Sequence, residues 1–146
     1  IFDLIPKDLP RMISIGRLDF MSEGLLLFTN NGDYSRNLEL PTKGYERVYR
    51  VCINGQIEKK DIEKINKGIK IDNINYNKIK IKLDKLDKTY TWIIAKLKEG
   101  KNREIRNICK YFSWNIVKLI RIQYGPYKLG NLKEGKIEEI KVIKNA

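Results

Sequence analysis

Two short stretches hold residues whose types and spacing could do chemistry. The first runs from Gly16 through Arg17, Leu18, Asp19, Phe20, Ser22 and Gly24 to Thr29-Asn30-Asn31-Gly32. It has one cation, Arg17, one acid, Asp19, and a glycine at each end of the loop, Gly16 and Gly24. Glycines allow tight bends and close approach of the backbone to other groups. Asp19 lies between Leu18 and Phe20, so its carboxylate is expected in a partly apolar surround, which perturbs an acid and suits catalysis. A turn-capping aspartate, or an ion pair with Arg17, is the plainer alternative. The second stretch is Arg103-Glu104-Ile105-Arg106. The spacing puts Arg103 and Arg106 on one face of a helix over 103–112, both in its first turn. Cations there oppose the helix dipole at a cost of a few tenths of a kcal/mol. The placement makes sense if the helix start faces a phosphate or a buried carboxylate. Two surface arginines without a partner are the alternative.

The surrounding elements must bring these stretches together. Met12 to Ile15 reads as a short strand, and the apolar run Leu25 to Phe28 as a buried strand ended by a turn at Asn30-Asn31-Gly32. Ile1 to Pro10 leads in as a turn or short helix. A short helix is expected over 33–39, stopped before Pro41. Val48 to Ile53 is a strand closed by Asn54-Gly55. Residues 58–67 form an amphipathic helix with Ile62, Ile65 and Ile69 on its stripe and Gly68 at its stop. Tyr76 to Leu83 alternates strictly, with Ile79, Ile81 and Leu83 on one face and Lys78, Lys80 and Lys82 on a basic outer face that a solvated strand would also show. Thr89 to Leu97 is a strand with Tyr90, Trp92 and Ile94 on one side. Ile105, Ile108, Cys109 and Phe112 make the apolar stripe of the helix over 103–112. Ile116 to Tyr124 is a buried strand broken by Gly125-Pro126, and Ile137 to Ile143 is a last strand or the return of the chain. Hairpins mixed with three helices argue for an α+β domain on an antiparallel or mixed sheet.

The composition narrows the classes. A chain of 146 residues is one domain with a real core. Thirty Lys+Arg against 18 Asp+Glu give a net charge of +12. Such a surface favours a polyanion: nucleic acid first, an anionic membrane surface second, with lysine bias as the plain reading. No apolar run approaches a membrane span, and no signal-peptide pattern opens the chain. The absence of histidine excludes Ser-His-Asp and Cys-His nucleophile systems and any zinc site containing histidine. Cys52 and Cys109 are too few and too far apart for a disulfide framework, so both read as reduced and the protein as cytosolic.

Taken together, the motifs carry a resemblance. Gly16-Arg17-Leu18-Asp19, Ser22-x-Gly24-Leu25-Leu26-Leu27 and Thr29-Asn30-Asn31-Gly32 resemble the catalytic signature of the bacterial Rsu/Rlu-type ribosomal RNA pseudouridine synthases. Glu46-Arg47-Val48-Tyr49-Arg50-Val51 resembles that family's tyrosine motif. Glu99 to Arg106 resembles its third motif, followed by Lys118-Leu119-Ile120-Arg121 and Tyr124-Gly125-Pro126. The blocks follow the family's order and spacing over nearly the whole chain. Phe20-Met21 and Asn107 depart from residues often found there, without removing a catalytic group.

The resemblance implies the pseudouridine synthase fold, a bent mixed sheet flanked by helices with a basic RNA-binding cleft. It implies isomerisation of a uridine in ribosomal RNA, the large-subunit RNA by the form of the motifs, in which uracil leaves C1′ of ribose, turns over and rejoins through C5. It also implies a role for each matching residue. Asp19 would be the catalytic aspartate, acting on base, sugar or a proton. Tyr49 would stack on the uracil and take part in proton handling, although a strand residue packed in the core is the plainer reading of that tyrosine without the resemblance. Arg106 would pair with Asp19. Leu119 would pack beneath the base, Arg17 would help displace the nucleotide, and Arg103 would meet RNA phosphate. No metal and no cofactor is implied, and the protein is expected to be a cytoplasmic monomer acting on ribosomal RNA. Residues 1–146 are expected to form the catalytic domain, with an N-terminal S4 RNA-binding domain and the first catalytic strand lying upstream of Ile1. A non-catalytic RNA-binding module on the same fold is the competing class.

Overall fold

The computed structural model describes residues 6–18, 21–40, 44–76, 79–98 and 103–143. Three long strands make its centre: β4 (Arg47–Asn54), β8 (Tyr90–Leu97) and β9 (Asn115–Tyr124). They are rich in valine, isoleucine and aromatic residues, which suit a pleated, half-buried surface. β4 lies between the other two, antiparallel to both. β7 (Ile79–Leu86) extends the sheet beyond β8, and the short β10 (Tyr127–Lys128) pairs with β9. β2 (Glu23–Gly24) joins the same side of the sheet as a parallel neighbour of β9, so the sheet is mixed. β1 (Ile13–Ile15) and β3 (Leu27–Thr29) form a separate antiparallel pair, as do β5 (Ile69–Ile71) and β6 (Ile74–Tyr76). Register shifts at Val48/Tyr49, Cys52/Ile53 and Leu83/Lys85 add the local twist and bend that bulges bring.

Strand pairing sorts the side chains onto two faces. Tyr49 stands opposite Ala95 and Arg121, and Val51 opposite Ile93 and Leu119. This face carries the main core, in which Val51, Ile53, Ile79, Ile81, Ile93 and Leu119 pack with Ile65 of α2 (Lys59–Lys67) and Ile105 and Ile108 of α3 (Glu104–Tyr111). Each such isoleucine or leucine, taken from water, contributes roughly 1.5–3 kcal/mol. A second core of Ile15, Leu25, Leu27, Leu38 and Tyr124 joins β1, β3 and α1 (Gly32–Glu39) to the end of β9.

Most expected elements are present, and the departures have physical causes. Asn30-Asn31-Gly32 is a helix start rather than a free turn: the Asn31 side chain accepts from Tyr34 N at 3.1 Å and caps α1. Ile69 belongs to β5 and not to the stripe of α2. Gly68, at φ 100°, ends the helix one residue earlier. The alternation over 76–83 is divided between β6, which pairs with β5 in a hairpin closed by Asp72 and Asn73 in left-handed conformations, and β7, which pairs with β8. Lys78 lies outside the described residues. On β8 the core side holds Thr91, Ile93, Ala95 and Leu97, and Trp92 and Ile94 face the other way. Residues 137–143 form no strand, and Ile137, Ile140 and Val142 are exposed there. The edge strand β7 is covered by Asn66 of α2, whose side chain accepts from Ile81 N at 2.6 Å and donates to Ile81 O at 2.8 Å.

Candidate active site

Gly24 brings the Gly16–Leu25 stretch onto the sheet. It sits at φ +110°, a conformation that favours glycine, directly against the backbone of Arg121. Leu25 N then donates to Arg121 O at 2.8 Å. The Arg121 side chain, only 2% exposed, completes the hold. Its Nε donates to Leu25 O at 2.9 Å and its Nη1 to Arg17 O at 3.2 Å. One guanidinium therefore grips the stretch on both sides of Asp19. Its Nη2 is buried with no hydrogen-bond partner among the described residues. Arg121 belongs to the Lys118–Arg121 block, and the resemblance implies no role for it. The signal was there: in the alternation of β9 it shares the buried side with Leu119, where a cation must find acceptors.

A second arginine acts in the same way nearby. Arg47, at the start of β4, donates to Tyr45 O at 3.1 Å, Lys98 O at 3.0 Å and the Tyr124 hydroxyl at 2.9 Å. Both guanidiniums flank the Tyr124 ring, at 4.7 Å for Arg47 and 5.1 Å for Arg121. Burial raises the Tyr124 hydroxyl above its ordinary pKa, and the Arg47 charge opposes the rise. The hydroxyl lies 3.3 Å from Leu38 O. It thus remains a neutral donor tying β9 to α1.

The other assigned residues gather around this clamp. Tyr49 is half-buried, facing Arg121 across β4 and β9, with Leu119 one step along the same face and 4% exposed. Arg106 reaches the stretch from α3: its Nη2 donates to Ser22 Oγ at 3.4 Å across 84 positions of sequence. Arg17 is exposed, and its described bond is through its backbone carbonyl. Asp19 and Phe20 lie outside the described residues, and so does the expected pairing of Asp19 with Arg106.

Arg103 departs from its expected place. α3 begins at Glu104, and Arg103 is the residue before it, exposed, at φ 65°. It is the N-cap of α3 and not a helical residue: its carbonyl accepts from Asn107 N at 2.8 Å and closes the first turn, while its own φ is left-handed. Arg106 is the one of the two with helical backbone.

Among the described residues no group of three or more His, Cys, Asp or Glu side chains is placed to hold a metal ion. No helix there is long and apolar enough to cross a membrane.

Comparison with known proteins agrees with this geometry. A solved crystal structure of a pseudouridylate synthase superposes with a TM-score of 0.79 over 92% of this chain and 59% of its own, at 24% identity, which establishes the likeness of fold. An uncharacterized RNA pseudouridine synthase of Rickettsia felis is 52% identical over 134 residues, 90% of this chain and 57% of the relative. The ribosomal large subunit pseudouridine synthase B of Buchnera aphidicola subsp. Schizaphis graminum is 41% identical over 139 residues, 92% of this chain and 54% of the relative. The chain thus spans a little over half the length of these curated relatives. The family model described as RNA pseudouridylate synthase matches residues 6–111, which takes in the Gly16–Leu25 stretch, Tyr49 and Arg106 together. With the fold and these motifs in agreement, the chain belongs to the RNA pseudouridylate synthase family.

Proposed function

We propose that this chain is the catalytic part of an enzyme that isomerises a uridine of large-subunit ribosomal RNA to pseudouridine, with Asp19 as its catalytic aspartate. The observation that carries the reading is the double grip on the stretch around Asp19. Arg121 holds the carbonyls of Arg17 and Leu25, and Arg106 reaches Ser22, three residues beyond Asp19 in the sequence. A loop with no chemistry to perform has little need of two guanidiniums from two distant elements.

The roles follow from these placements. Arg106 supplies a positive charge beside the loop, which favours an ionised carboxylate at Asp19 even where water is scarce. Tyr49 presents an aromatic ring on the same sheet face as the clamp, and an extruded uracil stacked on such a ring gains roughly 1–3 kcal/mol. Leu119 gives that face an apolar floor. Arg17, exposed on the loop, fills the space that the extruded nucleotide leaves, and Arg103, exposed before α3, meets phosphate. The glycosidic bond to C1′ breaks and a carbon–carbon bond from C5 to C1′ forms, with the C5 proton passing to N1. Atoms balance within the nucleotide itself, so the isomerisation requires no oxidant and no second substrate. Extrusion of the base costs a few kcal/mol, which phosphate contacts of a basic protein offset.

The test is direct. Ribosomal RNA is incubated with the protein and pseudouridine is mapped by chemical sequencing. One modified position in the large-subunit RNA is expected, and none with Asp19→Asn, while RNA affinity stays within about threefold. Turnover by Asp19→Asn near that of the wild type would remove Asp19 from the mechanism. RNA binding without any isomerisation by the wild type would favour a binding module.

A further inference from the structure

The main sheet has a second face, opposite to the one that holds Tyr49, Leu119 and Arg121. α2 and α3 both pack on the Tyr49 side, and no described helix covers the other. Strand register gives its composition. One row across β7, β8, β4 and β9 reads Lys82, Ile94, Arg50, Ile120, and the next reads Lys85, Trp92, Cys52, Lys118. Lys96 stands one row earlier, beside Val48. Lys82, Lys96 and Lys118 are exposed, and none of them forms an ion pair among the described residues.

The chemistry of this face is selective. The Arg50 guanidinium lies 4.2 Å from the centroid of Trp92, and its Nε donates to Asp84 at 3.0 Å. The Trp92 ring is therefore capped by a cation and is not offered for base stacking. The lysines are what remains to meet a ligand. Strands lie about 4.8 Å apart and alternate residues about 6.8 Å along, so Lys82 and Lys118 have Cα atoms roughly 16 Å apart and Lys82 and Lys96 roughly 8 Å. Lys82 and Lys96 are close enough to share one phosphate, and Lys118 is far enough away to meet a separate phosphate of the same polyanion.

We propose that this face is a second RNA-binding surface, taking the phosphate backbone of structured RNA that flanks the target uridine. The proposal rests on the RNA-modifying function proposed above. Contacts of this kind position an RNA without reading its bases. Phosphate contacts also make binding salt-dependent, by about 0.7–0.9 in the slope of log affinity against log salt for each one.

The experiment uses the full protein and two RNAs: a short hairpin carrying the mapped uridine, and a longer large-subunit fragment with its flanking helices. The triple variant Lys82→Gln, Lys96→Gln, Lys118→Gln is compared with a control triple, Lys64→Gln, Lys67→Gln, Lys70→Gln, on the α2 side. On the long RNA the first variant is expected to bind about tenfold more weakly, with a salt slope shallower by about 2. On the hairpin its affinity and turnover stay within about twofold of wild type. An unchanged slope on the long RNA overturns the proposal. An equal loss on both RNAs, or an equal loss with the control triple, reduces the effect to net charge and also overturns it. Loss of binding to anionic lipid vesicles with RNA binding intact would assign the face to a membrane surface instead. A wild type that isomerises neither RNA counts against the proposed activity, whereas an active wild type with an indifferent triple variant counts against this face alone.

Discussion

Gly24 and Arg121 touch through their backbones. A Cβ added to Gly24 would stand 2.2 Å from Arg121 O and 2.6 Å from Arg121 N. Neither atom belongs to a flexible side chain, so the contact cannot be relieved locally. The same glycine sits at φ +110°. Gly24→Ala therefore combines backbone strain of order 1–3 kcal/mol with a collision. Thermal unfolding should show a loss of at least about 2 kcal/mol, or else the loop lifts from β9 and turnover falls by more than tenfold. A variant that matched the wild type in both would refute this packing.

Arg121 should not tolerate lysine. Its planar fork bonds Leu25 O at 2.9 Å and Arg17 O at 3.2 Å together, from a position 2% exposed. A lysine keeps the charge but offers one compact ammonium in place of the fork. Leaving one buried carbonyl unpaired costs roughly 1–3 kcal/mol. Arg121→Lys is expected to unfold at lower temperature and to lose turnover more than RNA affinity. Equal stability and activity in that variant would show that the clamp is dispensable.

Arg103 and Arg106 should separate in their effects. Arg106, reaching Ser22, is expected to matter for turnover: Arg106→Ala should lower it at least tenfold while affinity holds within about threefold. Arg103→Gly removes a side chain from a left-handed position, φ 65°, and should leave stability equal or raise it by up to ~1 kcal/mol. It should weaken RNA binding a few fold and reduce the salt slope by about 0.7–0.9. The reverse pattern, with Arg103 governing turnover, would contradict the placement of both.

Cys109 gives the fold an alkaline limit. Burial pushes its thiol from an ordinary 9.0 up to about 12, against the pull of the nearby Arg106 charge. The folded state thus keeps a proton that the unfolded chain loses above pH 9. The contribution to stability is intact below about pH 9 and is lost as pH rises toward 12, at roughly 1.4 kcal/mol per pH unit. Cys109→Ala should flatten that part of the stability curve relative to the wild type. Thiol reagents at pH 8 should leave Cys109 unmodified until the protein unfolds, and rapid labelling of the native protein would contradict its burial.

The elements were legible wherever local chemistry dictates them. The branched and aromatic runs of β4, β8 and β9, the isoleucine stripe of α2 and its stop at Gly68 all appear close to where periodicity puts them. Boundaries shifted where a single residue changes the backbone: Asn31 caps a helix in place of closing a turn, and Arg103, left-handed, caps the helix it was expected to lie within. The family resemblance also groups Asp19, Tyr49, Arg106 and Leu119 in one expected site. Only the tertiary structure decided how the described members of that site meet. Nothing in the local sequence says that Arg121 lies opposite Tyr49 and holds Leu25 and Arg17, or that Ser22 meets Arg106 across 84 residues. Nor does it say that Lys82 and Lys118 share a face that no described helix covers. Propensity and capping act over a few residues and can be read from them. Register and long-range hydrogen bonding depend on which strands become neighbours, and that is set by burying the whole core at once.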